Sequence, residues 1–540
     1  MGLSSEARLS SCAVWGWGLT LRDTSIEPDV LELETLDPEL LASIDPRAAA
    51  DSLGGAEAFP DLRLFKRVPK IIDSFVIKLR MPPMKLARKV RRGATRWVSN
   101  CRLSGRKMLD SLFDTTGRQV VALDEDIVVA IDTSEIDLHG RGVPDDAGPL
   151  RSSFARGYLL QLAVAVTLSG QCLGVLDAFA WTRSWNLRKS DHRSRKKADK
   201  ESSKWDRCIK HVMLRLKVLG FRGMTWFLED READDFEHYA TQKRQGRRLI
   251  VRHDFRGRPR KILSTIVSND APKPGRGRPR KRERWIPLLQ KLGALRFLGS
   301  YQIPVDSRMT DKARGTTHQV RIATVSYRFC NIVMKPALLY KKSDYRDGLP
   351  LGVVEVVERN PPKGVEPLHW ILISLQEIAD EQQALSTISK YKLRWKVEDY
   401  IKVGKSGCRL EAQQVDSLAS FKRLMAVALA TANQIVQIVG AARETPGRSA
   451  KELVDDRTLQ ALKETAHYHE VVWPRGRVTI GQVVKVVAQI GGYEKRKDRQ
   501  PGWQVIYRGW ARFEEHRAIV EHAQRRRAQR RKSAPADKTD

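Results

Sequence analysis

The sequence predicts an α/β fold with helical segments before and after it, and three observations carry the prediction. Short apolar runs between residues 127 and 228 are set off by turn signals and one helical pattern, as expected of layered strands and helices. A second β-rich stretch runs from about Gly299 to Ser374. Helical periodicity dominates before residue 120 and from Gln383 onward. The chain has 540 residues, which at roughly 100–200 residues per domain makes three or four units. Hydrophobic residues are 41% of it and aromatics 7%, enough for a sizeable core and too many for a wholly disordered chain.

In chain order, residues 1–58 are acidic (Asp23, Glu27, Asp29, Glu32, Glu34, Asp37, Glu39) and read as a partly disordered extension that does not touch phosphate. Over residues 59–120 the sign reverses. Leu64, Phe65, Val68, Ile71, Ile72 and Phe75 interleave with Arg63, Lys66, Arg67 and Lys70 at helical spacing, which predicts a basic helical module. Residues 121–298 open with the run Ile127–Ile131, ending at Asp132. Leu159–Leu168 and Cys172–Trp181 follow as strands, separated by the hairpin signal Ser169-Gly170. A basic segment, Arg183–Lys204, leads into a helical pattern reaching Leu219, and Met224–Leu228 is a further buried strand ending in Glu229 and Asp230. Residues 255–284 read as loop, rich in Arg, Pro and Gly, with R-G-R-P-R-K at Arg256–Lys261 and again at Arg276–Lys281. Residues 299–378 form the β-rich segment, with alternation at Val320–Tyr327 and an apolar run at Gly352–Val357. Residues 379–440 and 441–540 are helical, and the chain closes on a basic tail, Arg525-Arg526-Arg527 and Arg530-Arg531-Lys532.

Lys and Arg total 97 against 64 Asp and Glu, a formal charge of +33. That excess calls for a polyanion, and nucleic acid is the expected partner. A membrane is not expected: the most apolar stretch, Met425–Ile438, is interrupted by Asn433, Gln434 and Gln437 and reads as a packed helix. The six cysteines (Cys12, Cys101, Cys172, Cys208, Cys330, Cys408) include no C-x-x-C pair, and no secretory signal opens the chain, so a reducing cytoplasmic setting is expected.

Asp132 and Asp230 each end an apolar strand, a rigid setting that suits carboxylates holding a hard divalent ion; two ordinary strand-end acids are the alternative. In Y-K-L-R-W-K-V-E-D-Y-I-K-V-G-K, the residues Tyr391, Arg394, Glu398, Lys402 and Lys405 would share one face of a continuous helix. At about 100° per residue they span an arc of about 80°. A carboxylate among three cations and a phenol suits a metal resting against a phosphodiester; a solvated face with an Arg394–Glu398 pair at i, i+4 is the alternative.

This Y-x-x-R-x-x-x-E-x-x-x-x-x-x-K pattern resembles the signature of the insertion-sequence-four family of DDE transposases, most closely the transposon-five type. Further motifs are similar and in the family's order. Gly93-Ala94-Thr95-Arg96-Trp97 with Asn100 and Ser104 precedes Asp132-Thr133-Ser134, which fits the first-aspartate motif. Glu201-Ser202-Ser203-Lys204-Trp205 precedes Asp230-Arg231-Glu232-Ala233-Asp234, which resembles the second. Asn360-Pro361-Pro362-Lys363-Gly364 leads to Pro367-Leu368-His369-Trp370, and Lys405-Ser406-Gly407-Cys408 with Glu411 extends the signature. Ile490-Gly491-Gly492-Tyr493, Trp503 and Gly509-Trp510 resemble the family's C-terminal helices, so the resemblance covers about residues 60–515.

The resemblance implies a ribonuclease-H-like catalytic domain in which Asp132, Asp230 and Glu398 are catalytic and hold two Mg²⁺ ions, with Mn²⁺ as substitute. It implies that Tyr391, Arg394, Lys402, Lys405 and Arg252 contact DNA and that a flipped base stacks on Trp370; a buried strand tryptophan is the other reading. The implied activity is a cut-and-paste transposase of a prokaryotic cell, cytoplasmic and on DNA. It would bind the terminal repeats of its transposon, cut them through a hairpin and join them to target DNA. It would work as a homodimer through its C-terminal helices, each site acting on DNA gripped partly by the partner. A catalytically silent DNA-binding regulator is the alternative. The acidic extension and the R-G-R-P loops depart from the family pattern. Arg258, Arg276 and Arg278 would enter an A·T minor groove in the manner of an AT-hook, or track phosphate without sequence preference.

Overall fold

The computed structural model describes residues 46–517 apart from residues 70, 73–87, 139–142, 152–154, 186–199, 258, 267–281, 312–314, 338–339, 341–343, 363–364, 366, 409, 413–414, 495–500, 503–504 and 515. Several expectations lie outside the described residues: the acidic residues 23–39, Phe75, most of the Arg183–Lys200 segment, Arg258, the second R-G-R-P-R-K copy with Arg276 and Arg278, Trp503 and the basic tail. The chain is mixed α/β and forms two compact units. The described residues of one lie in Glu34–Leu228 and Lys396–Asp540, and those of the other in Glu229–Trp395.

In the first unit, β1 (Ile127–Asp137), β2 (Gly148–Pro149), β3 (Arg156–Thr167), β4 (Cys172–Trp181) and β5 (Thr225–Glu229) form the sheet. β1 lies between β3, antiparallel to it, and β5, parallel to it, while β4 pairs with the other side of β3. The predicted hairpin is present: Gly170 takes φ 103, a left-handed value that favours glycine, and the Thr167 amide donates to the Gln171 carbonyl at 2.9 Å. β3 and β4 are buried almost end to end, as a strand covered on both faces requires. Helix Ser203–Val218 buries Trp205, Cys208, Ile209, Val212 and Leu216, the apolar stripe of its 3.6-residue period.

Helix Leu418–Glu444 is the central helix of this unit and packs on β4 and on helix Gly105–Leu123. By length and composition alone its Leu418–Arg443 portion could cross a membrane, but the apolar window is wholly buried inside the protein. Its amides buried with it include Asn433, 7% exposed, and Gln434, 4%. Five cysteines are described, and none of them is in a disulfide.

The C-terminal helices of this unit owe their packing to a missing side chain. A Cβ on Gly509 would stand 1.6 Å from the Val487 carbonyl oxygen of helix Ile480–Ile490, and one on Gly491 would stand 1.9 Å from that of Val505. Gly509→Ala is therefore expected to lower stability by about 1–3 kcal/mol through overpacking against backbone. The denaturant midpoint of the full chain reports it, and an unchanged midpoint would contradict this close approach.

The second unit is an antiparallel sheet of β6 (Arg248–Arg252), β7 (Lys261–Ile266), β8 (Arg282–Pro287), β9 (Gly299–Asp311), β10 (Gly315–Met334), β11 (Leu349–Glu358) and β12 (His369–Ser374). β12 lies between β6 and β11, β11 pairs with β10 over Val325–Met334, and β9 pairs with β10 over Gly315–Tyr327. The expected β-rich stretch is thus strand in both of its predicted parts. The loop reading of residues 255–284 needs correction, because β7 and β8 form a six-pair hairpin from Lys261↔Pro287 to Ile266↔Arg282. Ile262 and Ile286 pair across that hairpin, and apolar cross-strand pairing outweighs the loop-like composition of the segment between them.

Candidate functional site

Asp132 is not at a strand end. β1 continues to Asp137, paired with β3 throughout, so the apolar run stops before the strand does. The sequence signal marked a different boundary: the parallel β1–β5 ladder ends at Ala130↔Leu228, two residues before Asp132. Burial changes from complete to partial at Asp132 itself, which leaves its carboxylate half-buried. It accepts from the Thr133 amide at 2.8 Å, and the Thr133 hydroxyl donates to Gln161 at 2.8 Å.

The rest of β1 is held by charge. Arg183 makes a bidentate pair with Glu201 at 2.7 and 2.8 Å and reaches Glu135 at 3.2 Å. Lys405 pairs with Glu411 at 2.8 Å and donates to the Glu135 carbonyl at 2.7 Å, while Glu411 accepts from the Asp137 amide at 3.2 Å. Lys405, expected on DNA, is thus tied to this strand. The Arg183 and Glu411 partnerships escaped the sequence reading because no local spacing connects residues 135, 183, 201 and 411.

The five signature residues do not share one continuous helix. Helix Glu381–Lys392 ends before Arg394, helix Trp395–Lys402 begins after it, and Val403–Gly407 is a π-helical turn. The single-face arithmetic therefore holds for Glu398 and Lys402, which share the second helix, and fails for Tyr391, Arg394 and Lys405; the boundary between the units also falls between Trp395 and Lys396. Asp380 caps the first helix by accepting from the Gln383 amide at 2.8 Å. Glu398 is half-buried in the first turn of the second, where a carboxylate is favoured by the helix dipole. Lys402 lies 3.9 Å from Asp399.

In the Glu229–Trp395 unit the structure does bring expected residues together. Asp230 follows β5 and caps a short 3₁₀ turn, Arg231–Ala233, accepting from the Glu232 amide at 2.9 Å. Arg252 lies within electrostatic reach of Asp230, Arg231, Tyr391 and Arg394, and Tyr391 within reach of Asp230, Arg252 and Arg394. Burial lowers the Arg252 guanidinium from its ordinary range, and the like charges of Arg231 and Arg394 press the same way against Tyr391 and Asp230. Burial raises the Tyr391 phenol, opposed by Arg394 and Arg252. Arg394 is 4% exposed, its guanidinium 4.5 Å from the Trp395 ring centre and 5.8 Å from that of Tyr391. Trp370 is 2% exposed in β12 and meets Tyr391 edge to face at 5.9 Å, so here it is a buried strand residue. Arg231, Arg252 and Arg394 together carry more charge than the neighbouring Asp230 carboxylate, a local positive excess that suits a phosphate oxygen.

The same unit holds an ionic core that the spacing did not reveal. Asp234, fully buried, accepts from Tyr239 at 2.8 Å, from His253 at 2.7 Å, from Arg260 at 2.6 Å and from the Asp254 amide at 3.0 Å. Glu229 pairs with His238 at 2.8 Å. In the sheet, Glu355 pairs with Arg328 and, at 2.8 Å, with His369. Burial raises the Asp234 and Glu355 carboxyls, but the hydrogen bonds and charges of these partners outweigh it and hold both below their ordinary values of 3.8 and 4.5. A depressed folded-state value stabilises the fold above the ordinary value, and that stability is lost as pH falls toward the folded-state value. The denaturant midpoint of wild type is therefore expected to exceed that of Asp234→Asn near neutrality, with the gap closing below about pH 4. A gap that persists unchanged into acid would show that the charge on Asp234 does not contribute.

The first R-G-R-P-R-K copy is built into this unit rather than left as a free segment. Arg256 lies over the Phe255 ring at 5.7 Å, the Gly257 amide donates to Asp254 at 3.2 Å, Arg260 pairs with Asp234 and Lys261 begins β7. Asp132 and Glu398 belong to one unit and Asp230 to the other. Among the described residues no group of three or more His, Cys, Asp or Glu is gathered as a metal site. No protein-family model matches the chain.

Proposed function

We propose that this chain is a DNA transposase of the DDE type, which cuts DNA at the ends of a mobile element and joins those ends to target DNA. The electrostatic neighbourhood of Arg252, which takes in Asp230, Arg231, Tyr391 and Arg394, is the observation that carries the reading. It joins positions from three separated stretches of the sequence, four of them predicted to serve DNA cleavage. A formal charge of +33 supports a polyanionic partner, and the resemblance of the Y-R-E-K and D-R-E-A-D motifs supplies the reaction class.

Asp132, Asp230 and Glu398 would hold two Mg²⁺ ions. The donor chemistry fits, since all three are half-buried carboxylates and hard divalent ions take carboxylate oxygens. Bound there, the ions would activate the attacking oxygen and stabilise the leaving one. The chain's own cations would do the rest. Arg252 and Arg394 would fix a strand by its phosphates, and their burial would strengthen that grip by excluding water. Tyr391, kept protonated by burial, would offer its hydroxyl to a phosphate oxygen. Homodimerisation through the C-terminal helices belongs to the same proposal.

The test is excision. Purified chain with Mg²⁺ is incubated with a plasmid carrying the DNA that flanks its own gene, and release of a defined segment is the expected result. Specific binding without cutting in either Mg²⁺ or Mn²⁺ would replace the transposase with a silent DNA-binding regulator.

A further inference from the structure

We infer that Asp234, held by Arg260 of the first R-G-R-P-R-K copy and by His253, is a positioning residue that locks the Asp230 turn to the end of β6. This inference rests on the proposed cleavage site, but its first test does not. Asp234 is four residues beyond Asp230 and closes the short turn that Asp230 opens, its amide donating to the Arg231 carbonyl at 3.3 Å. Its carboxylate receives His253 Nδ1 at 2.7 Å and the Asp254 amide at 3.0 Å, the two residues directly after Arg252. Arg260 then closes the assembly from outside, donating to the Asp234 carboxylate at 2.6 Å and to the Asp234 carbonyl at 2.7 Å. Tyr239 adds a fourth donor from helix Phe236–Arg244 at 2.8 Å.

One buried anion therefore ties together a turn, a strand end and the segment entering β7. Asp230 and Arg252 lie on the two pieces it joins. Arg260 of the first R-G-R-P-R-K copy acts as a strut inside the fold and is not available to a DNA groove. A buried hub of this kind is rigid only while every donor is present, since a partly satisfied ionic core loses more than the bond removed.

Hydrogen exchange on the full-length chain provides the test that needs no activity. In Arg260→Ala, protection is expected to fall together in peptides covering residues 229–239 and 249–255, while β11 and β12 keep theirs. Loosening confined to residues 256–261, or none, would overturn the strut. Arg260→Lys, which keeps the charge and one donor, is expected to restore much of the protection; equal loss in both variants would also overturn it. In the excision assay, at saturating DNA and a temperature where the variant is folded, Arg260→Ala is expected to slow cleavage by about 10- to 100-fold, the usual range for a residue acting through another. Its affinity for the DNA should change far less. A loss of affinity matched by a flatter salt dependence, with the rate intact, would instead make Arg260 a phosphate contact. If wild type cuts nothing, the cleavage proposal fails while the exchange result still decides the strut.

Discussion

Glu398→Gln is expected to abolish Mg²⁺-dependent excision while the variant still binds the flanking DNA. The substitution keeps the side-chain shape and removes the negative charge, so a metal site loses a ligand charge and the backbone barely changes. Glu398 lies half-buried in the first turn of helix Trp395–Lys402. Losing a carboxylate from that turn costs the helix about 0.3–1 kcal/mol, too little to unfold the chain. The effect on the reaction is expected to be larger, at least about 10²–10³-fold in rate, or roughly 3–4 kcal/mol of barrier. DNA affinity should hold or rise slightly, because a charge that repels phosphate has gone. Nicking by the variant at a rate near that of wild type would sink the three-acid assignment and leave the arginine cluster as a binding surface alone.

Arg423→Met is expected to destabilise the Glu34–Leu228 and Lys396–Asp540 unit by about 2–4 kcal/mol. Arg423 is 7% exposed on helix Leu418–Glu444 and donates to the Val98 carbonyl at 2.7 Å and the Leu103 carbonyl at 2.9 Å. Val98 ends helix Arg88–Val98, whose last carbonyls have no partner of their own kind, and Leu103 lies in the link to helix Gly105–Leu123. Each buried acceptor left without a donor costs about 1–3 kcal/mol, partly offset because a cation is no longer buried. Urea unfolding of the full chain measures the total. Limited proteolysis near residues 99–104 shows where the loss falls, since the link should be cut sooner in the variant. A change under about 0.5 kcal/mol, the range of an ordinary surface substitution, would show that these bonds do not hold the link.

Glu398 stood out from the sequence because its neighbours four and seven positions away on either side are charged or phenolic. Arg423 did not, because it sits in a basic-apolar helix like many others and its partners lie more than three hundred residues away.

The sequence by itself determined the local structure wherever one physical signal dominated. Gly170 and the apolar runs beside it define the β3–β4 hairpin, since only the residues on either side of a turn decide it. The period of Trp205, Cys208, Ile209, Val212 and Leu216 defines a helix, and Asn433 and Gln434 mark Leu418–Glu444 as a core helix before any packing is known. Tertiary structure decided what depends on partners distant in sequence. β1 runs past Asp132 because β3 pairs with it to the end, and β7 and β8 form strands within an Arg- and Pro-rich stretch because they pair with each other. The signature helix breaks at Leu393 and Arg394, where an ideal period predicts continuity. Asp234 reads as the last letter of a motif, yet four donors from three later elements make it a buried hub. Periodicity reports which face of one element is apolar, whereas the burial of a charge is settled only by the groups that come to meet it.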